Sequence, residues 1–174
     1  MALAVCLLFD AAADRAIRKV WRRLEDAGVP TLLSHTHRRH LPHLSYAVLR
    51  KFDVDAVLDA VDHLPQGRPV TLHFDALGMF RRSRCWLVPA VSTDLVTRQE
   101  RVVDAVLGTG ADLHRHYRPG MWVPHCTLAP RLRLDQLTTV ARVVYDVLPL
   151  TAEVSGAALV NSGTGARYPL TGVP

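Results

Sequence analysis

The chain has 174 residues, 49% of them hydrophobic, and a formal net charge of +5. This length and apolar content are typical of one domain with its own core, and they exclude a disordered chain. The apolar runs are too short to cross a bilayer and no secretory signal pattern is present, so we expect a cytoplasmic protein. The three cysteines, Cys6, Cys85 and Cys126, lie in apolar runs, which favours reduced core thiols over disulfides.

Apolar periodicity predicts strands and helices along the whole chain. A continuous apolar strand at 3–9 is followed by a helix that Asp10 caps and that Gly28 and Pro30 end. A turn rich in glycine and small polar residues, at 161–165, joins the last two strands. The other predicted strands lie at 43–49, 69–77, 85–91, 123–129, 151–160 and 166–171, and the other predicted helices at 53–64, 93–107 and 134–148.

A tetrapeptide that contains a histidine and a hydroxyl residue occurs twice. Pro42-His43-Leu44-Ser45 recurs as Pro124-His125-Cys126-Thr127, 82 residues later. The same separation relates Asp53 to Asp135, and each aspartate opens a helix pattern. The chain therefore consists of two similar halves.

This duplication predicts the architecture. We expect an α/β fold of the α+β kind, a single domain over 1–174 with two pseudo-symmetric lobes near 1–83 and 84–174. Each lobe is an antiparallel sheet with helices on its outside, and the two lobes share one core. An exchange of strands between the lobes is compatible with the repeat.

The pleat of a strand decides where the motif side chains point. Alternate residues face the same side, so His43 and Ser45 share one face, as do His125 and Thr127, while Cys126 faces the core. A pseudo-twofold axis would place the two motif strands side by side. Two imidazoles and two hydroxyls would then line one central cleft.

Two histidines beside a phosphate can perform acid and base catalysis without a metal. Imidazole has a pKa near 6.5, so one ring can accept a proton from a nucleophile while the other donates a proton to the leaving oxygen. These catalytic roles are assigned to His43 and His125. Ser45 and Thr127 are the candidates to hold the nonbridging phosphoryl oxygens.

The basic residues gather in three predicted loops, at 34–41, 80–84 and 113–120. Lys19 and Lys51 are the only lysines, and the arginine guanidinium suits bidentate contacts with phosphate. The first and third loops directly precede the two motifs. A phosphate-bearing ligand explains this placement, and a solvated basic surface is the alternative.

The paired motifs resemble those of the two-histidine (2H) phosphoesterase superfamily, which includes LigT-like 2'-5' RNA ligases and RNA 2',3'-cyclic phosphodiesterases. The matching stretches are His43-Leu44-Ser45-Tyr46 and His125-Cys126-Thr127-Leu128, and Trp122-Val123-Pro124 before the second is also similar. Leu77-Gly78-Met79-Phe80 resembles the Gly-x-Phe turn of the family. The resemblance spans nearly the whole chain.

The resemblance implies a metal-independent phosphoesterase without cofactor that hydrolyses 2',3'-cyclic phosphates of RNA ends or nucleotides, with 2'-5' RNA ligation as the reverse of related chemistry. A monomer that does not bind membranes is expected. Tyr46 in the first matching stretch and Phe80 in the Gly-x-Phe turn are candidate substrate contacts. These two residues and Tyr168 are candidates to stack on a base, and core packing is the favoured alternative for each.

The chain departs from the family pattern at a few positions. Ser45 stands where threonine is more usual, and Tyr46 stands where an aliphatic residue is common. The arginine often found five residues after the second histidine is replaced by Pro130, followed by Arg131. A shift of one residue reverses the face of a strand, so we assign no binding role to Arg131 from the sequence.

Three alternative functions remain open at this point. A metal site is one, because closely spaced histidines can supply imidazole ligands. A module that binds RNA or a nucleotide without turnover is another, and a purely structural partner module is the third. The histidines that would serve the metal site are His35, His37, His40, His114 and His116.

Overall fold

A computed structural model describes residues 2–81 and 84–174 of the chain. Within these residues the strands are β1 (Leu3–Phe9), β2 (His43–Leu49), β3 (Thr71–Phe80), β4 (Arg84–Pro89), β5 (Cys126–Ala129), β6 (Leu150–Asn161) and β7 (Arg167–Pro169). The α-helices are α1 (Ala11–Asp26), α2 (Val54–Asp62), α3 (Thr93–Gly108) and α4 (Leu137–Tyr145).

Every predicted strand and helix is present, with shifts at some ends. The predicted strand at 123–129 begins only at Cys126, because Pro124 has no N–H to donate to a ladder. The predicted helix at 134–148 begins as a 3-10 turn, Leu134–Gln136, and continues as α4. Asp135 does not cap this helix, since its carboxylate accepts hydrogen bonds from the Arg133 guanidinium.

The strands form one antiparallel sheet whose order shows the duplication. The order is β2-β1-β6-β3-β4-β5, and β7 pairs with β6. If β1 is exchanged with β4, β2 with β5 and β3 with β6, the result is the same strand order read from the opposite edge of the sheet. A pseudo-twofold axis therefore passes between the paired strands β3 and β6.

Two strands pair across the middle of the sequence, where the boundary between the lobes was predicted near residue 83. β3 belongs to the first half but pairs with β4 along Phe74–Phe80. Only three residues separate β3 from β4 in the sequence, and a connection this short favours antiparallel neighbours. In return, β6 from the second half pairs with β1. The lobes thus exchange strands, as the repeat had allowed.

The helices pack in two pairs on the outside of the sheet. α1 contacts α4, β5 and β6, while α3 contacts α2 and β2. Alternate residues of β1 are fully buried in the core, as are Ile17 and Leu24 on one face of α1. Burying one such side chain stabilises the fold by roughly 1.5–3 kcal/mol. The longest helices have 16 residues, and none in the described part of the chain is long and apolar enough to cross a membrane.

The start of each of the first two helices follows the predicted capping chemistry. The Asp10 carboxylate accepts hydrogen bonds from the backbone N–H groups of Ala12 and Ala13, at 2.7 and 3.0 Å. The Asp53 carboxylate caps α2 in the same way. These caps fix the direction in which the chain leaves each preceding strand.

The two edge strands of the sheet, β2 and β5, contact each other. The Cys126 thiol on β5 lies close to the backbone of His43 on β2. Beside this contact, the Trp122 indole donates a hydrogen bond of 3.0 Å to the backbone carbonyl of Ser45. The sheet is therefore bent until its edges meet, and this bend brings the two motifs together.

Candidate active site

The two motif histidines are held in the same way. The Nδ1–H of His43 donates to the carbonyl of Leu41 at 2.6 Å, and the Nδ1–H of His125 donates to the carbonyl of Val123 at 2.7 Å. A carbonyl oxygen can only accept, so the proton of each neutral ring resides on Nδ1. Nε2 is then the nitrogen of each ring that is left to accept or donate a proton in the cleft.

The environment lowers the pKa of both imidazoles. Burial lowers the pKa of His43, and the hydrogen bond to Leu41 opposes this only in part. Burial also lowers the pKa of His125, and the positive charges of His43 and Arg84 lower it further. The two rings are thus near enough that their positive charges repel each other when both are protonated. This repulsion favours the state in which only one of the two imidazoles carries the extra proton.

The two motif hydroxyls lie on the same strand faces as the histidines. Ser45 pairs with Cys6 of β1, and its Oγ lies 3.6 Å from the Cys6 Sγ. Thr127 pairs with Trp86 of β4 and is half-buried, whereas Ser45 is 7% exposed. Ser45 is therefore the more enclosed of the two predicted phosphate ligands.

An aromatic wall stands beside His125. The Phe80 ring centre lies 3.7 Å from that of Trp86 and 5.3 Å from that of His125, nearly perpendicular to the imidazole. Trp86 rests on Gly78 of the neighbouring strand, where an added Cβ would lie 2.5 Å from the indole Nε1. Phe80 thus lies beside His125, and its contact with substrate stays a prediction. Trp86 was not predicted from the sequence, because it lies in a continuous apolar run and such a run does not show which of its residues face the cleft.

Tyr46 does not reach the cleft, which corrects its assignment as a substrate contact. Its side chain lies on the face of β2 opposite His43 and Ser45 and is fully buried. The ring packs 5.9 Å from Trp122, centre to centre. Strand alternation decides this outcome, because adjacent residues of a strand point to opposite faces.

Tyr117 is a cleft residue that the sequence analysis missed. Its ring centre lies 6.5 Å from that of His125, and its hydroxyl is close to the Ser45 side chain. The buried Gln99 amide holds it, donating to the backbone carbonyls of Tyr117 and Tyr46 at 2.8 and 3.1 Å. Burial raises the pKa of the Tyr117 phenol, so it is a neutral donor. The sequence feature that could have indicated this role is the position of Tyr117 in the third basic loop, eight residues before His125.

Arg84 is the arginine whose charge reaches the histidine pair. Its exposed guanidinium lowers the pKa of His125, and it contributes to the lowered pKa values of His35 and His114 after burial and other cations. Arg81 is also exposed. Arg82, the third arginine of the predicted basic loop, lies outside the described residues.

The clustered histidines of the first basic loop stack on one another. The ring centres of His37 and His40 are 4.1 Å apart, and those of His35 and His40 are 5.8 Å apart. Two of their nitrogens contact protein groups: His40 Nε2 lies 2.8 Å from the Thr36 hydroxyl, and His37 Nδ1 accepts from the backbone N–H of Arg39. Across residues 2–81 and 84–174, no three His, Cys, Asp or Glu side chains form a group that could hold a metal.

All three cysteines are buried and unbridged, as predicted. Burial raises the pKa of the Cys126 thiol to about 12 and that of Cys85 to about 11. Burial likewise raises the pKa of Cys6 to about 12. A thiol with so high a pKa is a poor nucleophile at neutral pH.

Comparison with known proteins identifies the family. The family model for the 2'-5' RNA ligase superfamily matches residues 9–166. The chain belongs to this superfamily. The resemblance to the two-histidine phosphoesterases is therefore confirmed, and membership in a 2'-5' RNA ligase superfamily supports a phosphoesterase or RNA-processing enzyme. No curated protein matches the chain.

Solved structures of other proteins share the fold over nearly the full chain. A crystal structure of a phosphoesterase is 18% identical, with a TM-score of 0.64, and the match covers 97% of this chain and 94% of that one. E. coli LigT complexed with NADP+ is 18% identical, with a TM-score of 0.61 and the same coverage. Usb1 of Kluyveromyces marxianus is 13% identical, with a TM-score of 0.52, covering 97% of this chain and 98% of that one. These matches confirm the mixed α/β fold with an antiparallel sheet.

Proposed function

We propose that the protein is a metal-independent phosphoesterase that hydrolyses 2',3'-cyclic phosphates at RNA ends or on nucleotides. The observation that carries this proposal is the matched pair of imidazoles. Each ring donates through Nδ1 to a carbonyl two residues earlier, which leaves Nε2 for chemistry in a shared cleft. A single imidazole held in this way can fill only one proton-transfer role at a time. A symmetric pair suits a reaction that needs both a base and an acid.

The reaction follows from the two protonation states. The neutral imidazole accepts a proton from water at Nε2 as the water oxygen forms a bond to phosphorus. The bond from phosphorus to one ribose oxygen breaks, and the protonated imidazole donates its Nε2 proton to that oxygen. The next cycle requires the proton to return to the acid, which solvent supplies. Ligation would use the same groups in the same roles, with a ribose hydroxyl of a second RNA attacking phosphorus in place of water and the same ribose oxygen leaving.

The hydroxyl groups of the cleft would hold the phosphate in line for this displacement. Ser45 and Thr127 are the predicted donors to the nonbridging oxygens, and the neutral Tyr117 hydroxyl beside Ser45 is a third. Phe80 offers a ring face next to His125 for a base. Superfamily members have been solved with phosphate-bearing ligands, namely LigT with NADP+, 3'-AMP, ATP and phosphate, and Usb1 with uridine monophosphate.

A module that binds RNA without turnover is the second candidate. The enclosure of Ser45 favours it, because a hydroxyl that is 7% exposed and lies against Cys6 and Tyr117 must change partners to reach a phosphate. Affinity does not separate the two candidates, since both bind phosphate in a manner that weakens with salt. Turnover separates them.

The test is hydrolysis of 2',3'-cyclic nucleotides and of an RNA that ends in a cyclic phosphate, with chelator present. We expect turnover by the wild-type protein and losses of about two or more orders of magnitude in His43→Ala and in His125→Ala. His63→Ala removes a histidine that is exposed at the end of α2 and serves as the control. Binding without turnover would favour the second candidate, and turnover abolished by chelator would return the metal site to consideration.

A further inference from the structure

A groove lies beyond the C-terminal end of β5. It has a volume of about 340 Å³ and is lined by the loop at 30–36 on one side and by Pro130 and Arg131 on the other. This volume is at the lower end of the usual range for small-ligand sites, and it suits a group the size of one nucleotide. The four motif side chains do not line it.

The wall of the groove combines ring faces, hydroxyls and positive charge. Pro30, Pro130 and the half-buried His35 offer flat surfaces, while Ser34 and Thr36 offer hydroxyls. Burial and the charge of Arg131 lower the pKa of His35, so at neutral pH its ring is an uncharged stacking surface. The exposed guanidinium of Arg131 is the cation of the groove.

The Glu25 carboxylate accepts several hydrogen bonds from the loop at 30–36. One oxygen of Glu25 accepts hydrogen bonds from the N–H and hydroxyl of Thr31 and from the N–H of Ser34, at 3.3, 2.7 and 3.1 Å. These bonds hold the loop in place as one wall. None of the described residues that line the groove is acidic, so its charge complements an anion.

The groove is within reach of the histidine pair. Arg131 lies four positions after Thr127 in the sequence, and a chain of that length spans at most about 14 Å. On the opposite wall, the His35 ring lies 5.8 Å from His40, which is within electrostatic range of His43. Arg84 lies within electrostatic range of both His35 and His125. A single strand held at the histidine pair can therefore continue into the groove.

We propose that this groove binds the nucleotide that precedes the reacting one, with Arg131 contacting its phosphodiester, so that the enzyme selects oligoribonucleotide ends over free cyclic nucleotides. This inference rests on the proposed function, and it assigns the preference for substrate length to residues outside the motifs. The neighbouring base stacks between His35 and the prolines, because every base has a flat face that such a surface can hold without reading sequence.

The experiment compares two substrates, 2',3'-cyclic UMP and the dinucleotide UpU ending in a 2',3'-cyclic phosphate. The wild-type protein should have the higher kcat/KM on the dinucleotide. In Arg131→Gln the ratio of the two kcat/KM values should fall by about tenfold, since a charge-assisted hydrogen bond is lost. Ser34→Trp, which fills the groove without a change of charge, should lower the ratio similarly.

The control is Arg22→Gln, which removes the same charge from an exposed position on α1 and should leave the ratio as in the wild type. A ratio that is the same in the wild type, Arg131→Gln and Ser34→Trp would overturn the groove while leaving the proposed function intact. If neither cyclic phosphate is hydrolysed, the proposed function is wrong, and the groove is tested instead by measuring binding with calorimetry. Tighter binding of UpUp than of 3'-UMP, reduced in Arg131→Gln, would support it, and equal affinities would overturn it.

Discussion

At the scale of single residues, two backbone carbonyls determine the protonation chemistry of the cleft. Leu41 and Val123 each accept from an imidazole Nδ1, which orients both rings without the use of a carboxylate. A carboxylate would raise the pKa of its histidine, whereas a carbonyl leaves burial as the dominant influence. Both rings are therefore mainly neutral at pH 7 before a phosphate binds.

The pH dependence of catalysis follows from these lowered pKa values. The base works above its pKa and the acid works below its own, so kcat/KM follows a bell whose limbs are the two pKa values of the free enzyme. Both lie below 6.5, and we expect the maximum of kcat/KM below pH 6.5.

Arg84→Gln tests the electrostatic part of this argument. Removing a positive charge near His125 should raise the pKa of that ring, which an NMR titration of its ring proton measures directly. The pKa values of His35 and His114, measured in the same titration, should also rise, because Arg84 also lowers them. Arg22→Gln serves as the control. An unchanged or lower pKa of His125 would show that Arg84 does not act on the cleft.

At the scale of elements, the pairing of β3 with β4 builds the aromatic wall. Gly78 lies opposite Trp86 in the register, and the indole occupies the space that a side chain at position 78 would need. Phe80 then covers the indole at 3.7 Å. The glycine is required by this close approach and not by its backbone angles, because its φ lies outside the left-handed region.

Gly78→Ala should displace the Trp86 ring and disturb the wall beside His125. We expect a loss of about 1–3 kcal/mol in the free energy of unfolding, as for other overpacked sites, together with a shift in tryptophan fluorescence. Gly156→Ala on β6 is the matched control, because an added Cβ there meets nothing within 4 Å. Equal effects of the two substitutions in a denaturant titration would contradict this account of Gly78.

At the scale of the whole molecule, the bent sheet places many histidines in partly dehydrated positions. Six of the nine have pKa values lowered mainly by burial, namely His35, His37, His40, His43, His114 and His125. For His40 the pKa falls to about 4. Such groups bind fewer protons in the folded protein than in the unfolded chain between their lowered pKa values and 6.5.

Stability should therefore decrease as the pH falls from 6.5 toward 4. Between pH 4 and 6.5 the unfolded chain binds more protons than the folded protein. The free energy of unfolding therefore increases with pH and decreases on acidification. His63 acts in the opposite sense but above pH 6.5, since hydrogen bonding to the Asp59 carbonyl and the charge of Asp59 raise its pKa. Urea titrations at pH 7.5, 5.5 and 4.5 measure the effect. A constant midpoint over this range would contradict the burial of these histidines.

The sequence alone determined the order of elements, the caps at Asp10 and Asp53, and the two motifs with their facing hydroxyls. These features follow from local rules, because apolar periodicity, capping and strand alternation each act over a few residues. The tertiary structure alone decided the exchange of β3 and β6 between lobes, the placement of Trp86, Tyr117 and Arg84 beside the cleft, and the removal of Tyr46 from it. Those outcomes depend on register and on contacts between residues distant in the chain, which a continuous apolar run or a basic loop does not encode locally.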